Sequence, residues 1–110
     1  MKLITGVIRP DKVACVKAEL VRQNIVALTI AEAQDHSPQR HGTVAWMGHL
    51  HDVDSSRKLE IRIFVHDDEV DEVIDAIMRS ARTGQQGDGH VAVTSVEHRY
   101  NICTGQRDVS

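Results

Sequence analysis

Hydrophobic patterns along this 110-residue chain run strand, helix, strand, then a long gap, then strand, helix, strand. Two right-handed split βαβ units in that order predict a ferredoxin-like βαββαβ sandwich of the α+β class, with both helices on one face of the sheet. A hydrophobic fraction of 41% and a charged fraction of 26% suit one packed domain over 1–110 and exclude disorder throughout. Aromatics make up only 3%, so Val, Ile, Leu and Ala must build the core.

The first strand covers 3–8, and Pro10 closes it because proline cannot donate to a ladder. Val13, Val16, Leu20 and Val21 recur at helical spacing, which makes 11–23 an amphipathic helix. Asn24 supplies a turn, after which β-branched residues return over 25–33 as the second strand. Leu59, Ile61, Ile63 and Val65 alternate with Glu60, Arg62 and Phe64, the two-residue period of a third strand. The second helix carries one stripe of Val70, Val73, Ile74, Ile77, Met78 and Ala81. Asp67 or Asp68 is placed to cap its start, Arg79 and Arg82 lie at its negative end, and Gly84 signals its stop. Residues 91–96 form the fourth strand; 97–110 is a C-terminal loop and tail whose last four residues are expected to fray.

With both helices on one face, the other face of the sheet lies open. In the first two strands both alternating sets are apolar or small: Leu3 and Val7 against Ile4 and Ile8, then Val26, Leu28 and Ile30 against Ile25, Ala27 and Ala31. So much open apolar surface is seldom left to water, and association of identical copies through that face is expected. The gap over 34–57 is the second anomaly. Hairpins usually take about two to five residues. This gap has no sustained periodicity and holds Pro38, Gly42, Gly48 and several His and Ser, so it is expected to be a functional, structureless insertion.

A net charge of −3 excludes the broad cationic surface that non-specific nucleic-acid binding needs. No apolar run approaches the roughly 20 residues of a membrane span, and the apolar stretch at Met1–Gly6 is too short for a signal peptide. Cys15 and Cys103 lack metal-type spacing. A reducing cytoplasm is the expectation.

Chemistry is concentrated in the link between the second helix and the fourth strand, Thr83-Gly84-Gln85-Gln86-Gly87-Asp88-Gly89. Three glycines let successive N–H groups turn toward one point, a nest suited to an anion. It is not a Walker A loop, since no Gly-Lys-Ser/Thr is present and no helix follows. A plain helix cap followed by a tight turn is the competing reading.

Several segments together resemble the PII signal-transduction proteins. They are Met1-Lys2-Leu3-Ile4, Ile8-Arg9-Pro10, Thr29-Ile30-Ala31-Glu32, Asp67-Asp68, Ala81-Arg82-Thr83-Gly84, Gly87-Asp88-Gly89 and Thr104-Gly105. The resemblance covers essentially the whole chain; its most specific piece is the Arg-Thr-Gly-x-x-Gly-Asp-Gly run at 82–89. It implies a cytoplasmic homotrimer that is not an enzyme, with an adenine nucleotide (ADP, AMP or ATP, the last with Mg) in clefts between subunits. It further implies that 34–57 is the T-loop, which controls a membrane transporter or enzyme without entering the membrane, and that 82–90 is the phosphate (B) loop. Thr29, Arg62, Phe64, Gly87, Asp88, Gly89 and His90 are then the nucleotide-site candidates. Gln39 and Lys58 are the candidates for a small anionic effector, 2-oxoglutarate or bicarbonate; a solvated charge is the other reading of Lys58.

Departures from the family pattern matter as well. Members that hold ATP tightly carry a lysine after Gly-Asp-Gly and two arginines near the C-terminus; His90, Asn101 and Cys103 stand there. A shifted preference toward ADP or AMP, or weak ATP binding, is expected, with Arg62, Arg99 and Arg107 as the cations left to compensate. Asp35, Ser37 and Pro38 stand where the family has glycines and an arginine at the loop base, which argues against a classical 2-oxoglutarate site and leaves a small anion such as bicarbonate open. His51 replaces a modifiable tyrosine, so control by nucleotidylation is expected to be absent. Trp46 and Met47 are an apolar pair in a polar loop and, with His51, are candidates for partner contact.

Two other readings share the fold. His49 and His51 are weak metal-ligand candidates, as in a metal-responsive trimer resembling the CutA-like proteins. A small enzyme of the acylphosphatase kind needs an arginine beside an anion cradle. Arg9 ends the first strand, but the glycine cradle lies in the other half of the chain.

Overall fold

A computed structural model describes residues 1–34, 45–46, 49–50 and 57–108. Among these, the elements in order are β1 (Lys2–Ile8), α1 (Val13–Arg22), β2 (Thr29–Gln34), β3 (Ala45–Trp46), β4 (His49–Leu50), β5 (Arg57–Val65), α2 (Val70–Ala81) and β6 (Gly89–Ser95). Single 3-10 turns, Pro10–Lys12 and Asp67–Glu69, lead into the helices. Four strands form one antiparallel sheet in the order β2-β5-β1-β6. This is the ferredoxin-like arrangement that the pattern predicts. No helix among the described residues is long and apolar enough to cross a membrane.

The core lies between the helices and one sheet face. Ile4 and Ile8 of β1, and Ile61, Ile63 and Val65 of β5, meet Val16 and Leu20 of α1 and Val73, Ala76, Ile77 and Ala81 of α2. Each large aliphatic side chain buried there contributes roughly 1.5–3 kcal/mol. Two residues of the expected stripes point away: Val21 is 55% and Met78 51% exposed. In each helix the contact arc is narrower than the apolar arc. Arg79 of α2 reaches Glu19 of α1 at 3.5 Å and Asp75 at 2.9 Å.

The ends of the elements differ from expectation for local reasons. Asn24, at φ 63°, closes α1 as the expected turn, and the N–H of Ile25 donates to Leu20 O at 2.9 Å. That cap consumes the start of the expected strand, so β2 begins only at Thr29, opposite Arg62. Neither Asp67 nor Asp68 caps α2. The Glu69 carboxylate accepts from the N–H of His66 at 2.9 Å, and Asp67 instead pairs with the Met1 amino group. α2 stops at Ala81 because Arg82 turns extended (ψ 132°), two residues before Gly84.

The gap is not wholly without structure. Gln34 and Arg57 pair as the last rung of β2 and β5, and β3 pairs with β4 through Ala45–Leu50 and Trp46–His49. Short pairings of two residues leave no periodicity for a sequence to display.

Candidate functional site

The glycine loop is assembled by the pairing of β1 with β6. Antiparallel register sets Ile8 opposite Gly89 and Val7 opposite His90, which brings Arg9 against the loop that precedes β6. The separation of Arg9 from the glycine cradle expected along the chain is thereby overturned. Arg9 Nε donates to Asp88 Oδ1 at 2.9 Å, and Nη2 donates to Gln86 O at 3.0 Å. Antiparallel pairing of the first and last strands is the signal that could have revealed this.

Of the N–H groups in the glycine loop, those of Thr83 and Gly84 converge on one point, and the Asp88 carboxylate occupies it. Oδ2 of Asp88 accepts from the N–H groups of Thr83 and Gly84, each at 2.9 Å. Oδ1 accepts from the Thr83 hydroxyl at 2.5 Å, and that hydroxyl accepts from the N–H of Gln85 at 3.1 Å. The Thr83 hydroxyl, Arg9 and the backbone N–H groups together hold the Asp88 carboxyl far below the usual carboxylate range. Gly89 is obligatory: with φ +105°, any Cβ would lie 1.8 Å from Val7 O.

The sheet face away from the helices carries the other nucleotide candidates. Cross-strand register places Thr29, Arg62, Thr5 and Ala92 in one row, with Ala31, Glu60, Val7 and His90 in the next row toward the loop. Phe64, Leu3 and Thr94 form the row on the far side. Thr29, Arg62, Phe64 and His90 therefore share one open face whose His90 end meets the glycine loop. The face is more mixed than the strand patterns imply. Arg62 pairs with Glu60 at 3.2 Å, and alanines and threonines fill much of the rest.

The C-terminal segment is a folded hairpin through Asp108; of the four residues expected to fray, Arg107 and Asp108 are held in it, and 109–110 lie outside the described residues. Tyr100 pairs with Arg107, Asn101 N–H donates to Gln106 O at 2.9 Å, and Asp108 N–H donates to Arg99 O at 2.7 Å. Asn101 Oδ1 accepts from the Thr104 N–H at 3.2 Å, which gives this residue a turn-closing role. The Arg99 guanidinium lies 4.3 Å from the Phe64 ring centre and binds Asp108 at 3.0 Å. Arg107 contacts His98 Nδ1 at 3.2 Å. All three compensating cations thus have partners within the chain. Between this hairpin and the connector after α1 lies an open cavity of about 580 Å³, lined by residues including Ala27, Phe64, Arg99 and Asn101.

Lys58 is not a solvated charge. It is 2% exposed, sits opposite Ala33, and lines a cavity of about 480 Å³ at the loop base with Glu32, Gln34 and Arg57. Gln39, Met47 and His51 lie outside the described residues. Trp46 and His49 are placed only as a backbone pair. Among the described residues no group of three or more His, Cys, Asp or Glu could hold a metal ion.

Comparison with known proteins agrees with this architecture. The family model for nitrogen regulatory protein P-II matches residues 1–106. A nitrogen regulatory protein P-II from Microchaete diplosiphon is 37% identical over 108 residues, covering 98% of this chain and 96% of that protein. Its counterpart in Rhizobium etli is 36% identical with the same coverage, and that in Pyropia yezoensis is 32% identical over 104 residues, covering 94% and 93%. Fold, full-length similarity and the glycine loop converge: this chain belongs to the nitrogen regulatory protein P-II family.

Proposed function

We propose that this protein is a non-catalytic regulator that senses an adenine nucleotide at clefts between three copies of the chain. One observation carries the reading. The glycine loop adjoins the Ile8 end of β1, whereas the C-terminal hairpin docks on Phe64, opposite Leu3. Ile8 lies five residue steps along the strand from Leu3, about 17 Å at the usual rise. A nucleotide gripped by both the glycine loop and a C-terminal hairpin would take them from different copies. The open face with Thr29, Arg62, Phe64 and His90 runs between these two ends and supplies the cleft wall.

Preference for ADP or AMP over ATP follows from the missing cations. His90 replaces an ammonium group, Asn101 is engaged in its own turn, and Cys103 carries no guanidinium. Each charge-assisted contact to phosphate is worth about 1.5–3 kcal/mol, so losing two lowers ATP affinity roughly a hundredfold or more. Mg would accompany ATP alone. Buried Lys58 supports a small-anion site at the loop base, with Gln39 as its second member and bicarbonate or 2-oxoglutarate as effector. The segment 34–57, through Trp46, Met47 and His51, is the output arm toward a transporter or enzyme.

Calorimetry with ATP, ADP and AMP, each with and without bicarbonate or 2-oxoglutarate, tests the reading. Binding of ADP or AMP more tightly than ATP, by a trimer in light scattering, is expected. A monomer with no response to any nucleotide refutes it.

A further inference from the structure

The geometry points to Arg9 as the positioning residue of the glycine loop: it holds the Asp88 carboxylate in the nest of Thr83 and Gly84, and so presents the N–H groups of Gln86 and Gly87 to an anionic phosphate. This rests on the reading of 82–90 as the phosphate loop. Arg9 is not among the candidate cations that the sequence offers, Arg62, Arg99 and Arg107.

One guanidinium fixes two points of the loop. Nε binds the Asp88 carboxylate at 2.9 Å and Nη2 binds the Gln86 carbonyl at 3.0 Å, from a residue 79 and 77 positions away in the chain. The planar fork of arginine suits such two-point contact, which the single ammonium of lysine does not reproduce. Arg9 also lies directly under the backbone: a Cβ on Gly87 would meet Nη2 at 3.4 Å. Its side chain is 27% exposed and that of Asp88 22%, so the pair is partly shielded from salt.

Asp88 in turn orders the first half of the loop. Its carboxylate takes up the N–H groups of Thr83 and Gly84, and Thr83 takes up that of Gln85. Among the described residues the N–H groups of Gln86 and Gly87 donate to no acceptor, and they directly follow the ordered segment. The charge of Arg9 is matched by Asp88, so Arg9 acts through the loop and not as a phosphate ligand.

A double-mutant cycle on the full chain separates these roles, with ADP as probe and calorimetry at fixed salt. If Arg9 works through Asp88, Arg9→Gln and Asp88→Asn each weaken ADP by about tenfold, and the double variant is no weaker than either. Arg9→Lys recovers part of the loss. Losses that multiply, or an Asp88→Asn variant that binds ADP more tightly because a cation is freed, overturn the proposal. Hydrogen exchange at the Thr83 and Gly84 amides, without ligand, gives a second readout. Arg9→Gln is expected to lower their protection about tenfold; unchanged protection overturns the clamp even if the wild-type protein binds no nucleotide, an outcome that would itself refute the phosphate-loop reading.

Discussion

Replacing Gly89 by alanine tests a backbone approach that leaves no room for a side chain. Gly89 opens β6 opposite Ile8 at φ +105°, and the new methyl carbon would fall 1.8 Å from Val7 O and 2.8 Å from Val7 C. Ordinary carbon–oxygen contact requires about 3.2 Å or more, and the obstructing atoms are backbone, so β1 and β6 must separate at that rung. Positive-φ strain costs about 1–3 kcal/mol, and loosening one or two ladder hydrogen bonds about 0.5–1.5 kcal/mol each. The total of roughly 1.5–6 kcal/mol is a large share of the 5–15 kcal/mol or so that holds a domain folded. At about 4 °C per kcal/mol for a chain of this length, the melting temperature should fall by about 6–24 °C. Far-UV circular dichroism, at one protein concentration because an oligomer's melting depends on it, gives the measurement. Gly84→Ala is the control: φ is +86°, but nothing lies within 4 Å of its Cβ, so only strain is added. A Gly89→Ala protein that melts no lower than Gly84→Ala would refute the described contact between Val7 and Gly89.

Further expectations concern core, acid and ligand. Ile77 is fully buried and Met78 half exposed, so Ile77→Ala should cost about 2–5 kcal/mol in urea unfolding and Met78→Ala less than about 1; equal losses would refute the helix rotation. The Thr83 hydroxyl, Arg9 and loop N–H groups lower the Asp88 pKa, so as pH falls below about 4 the unfolded chain takes up that proton first. Wild-type stability should therefore drop across that window with a slope that Asp88→Asn reduces; identical slopes between pH 2 and 5 would count against the nest. Restoring an ammonium with His90→Lys, beside the loop on the exposed face, should tighten ATP by roughly ten- to a hundredfold and AMP far less. Calorimetry of both nucleotides checks this, and an equal gain for AMP would place the phosphates elsewhere.

Periodicity made the fold legible because each element keeps one face on the core. Ile61, Ile63 and Val65 alternate in the chain and in the structure alike, and Val73 and Ile77 face β1 as their spacing requires. The extent of β2 was less legible, since Ile25 is β-branched yet spent in the cap of α1. Glycines at 84, 87 and 89 announced a nest, but no local pattern tells that Asp88 would occupy it or that Arg9 would reach it. Those contacts span nearly the whole chain and exist only once the strand register is fixed. Similarly, Asn101 reads as a lost cation in sequence, whereas its geometry reveals a turn that it closes.

The distance along the chain between Arg9 and Asp88 has a temporal consequence. Residues 79 positions apart must meet before the cradle exists, and β6, which brings them together, is made after the other strands of its sheet. A chain made only as far as β5 has Arg9 but neither Asp88 nor the Gln86 carbonyl to bind it to. High sequence separation also raises the entropic cost of this closure. The cradle thus certifies its own completion.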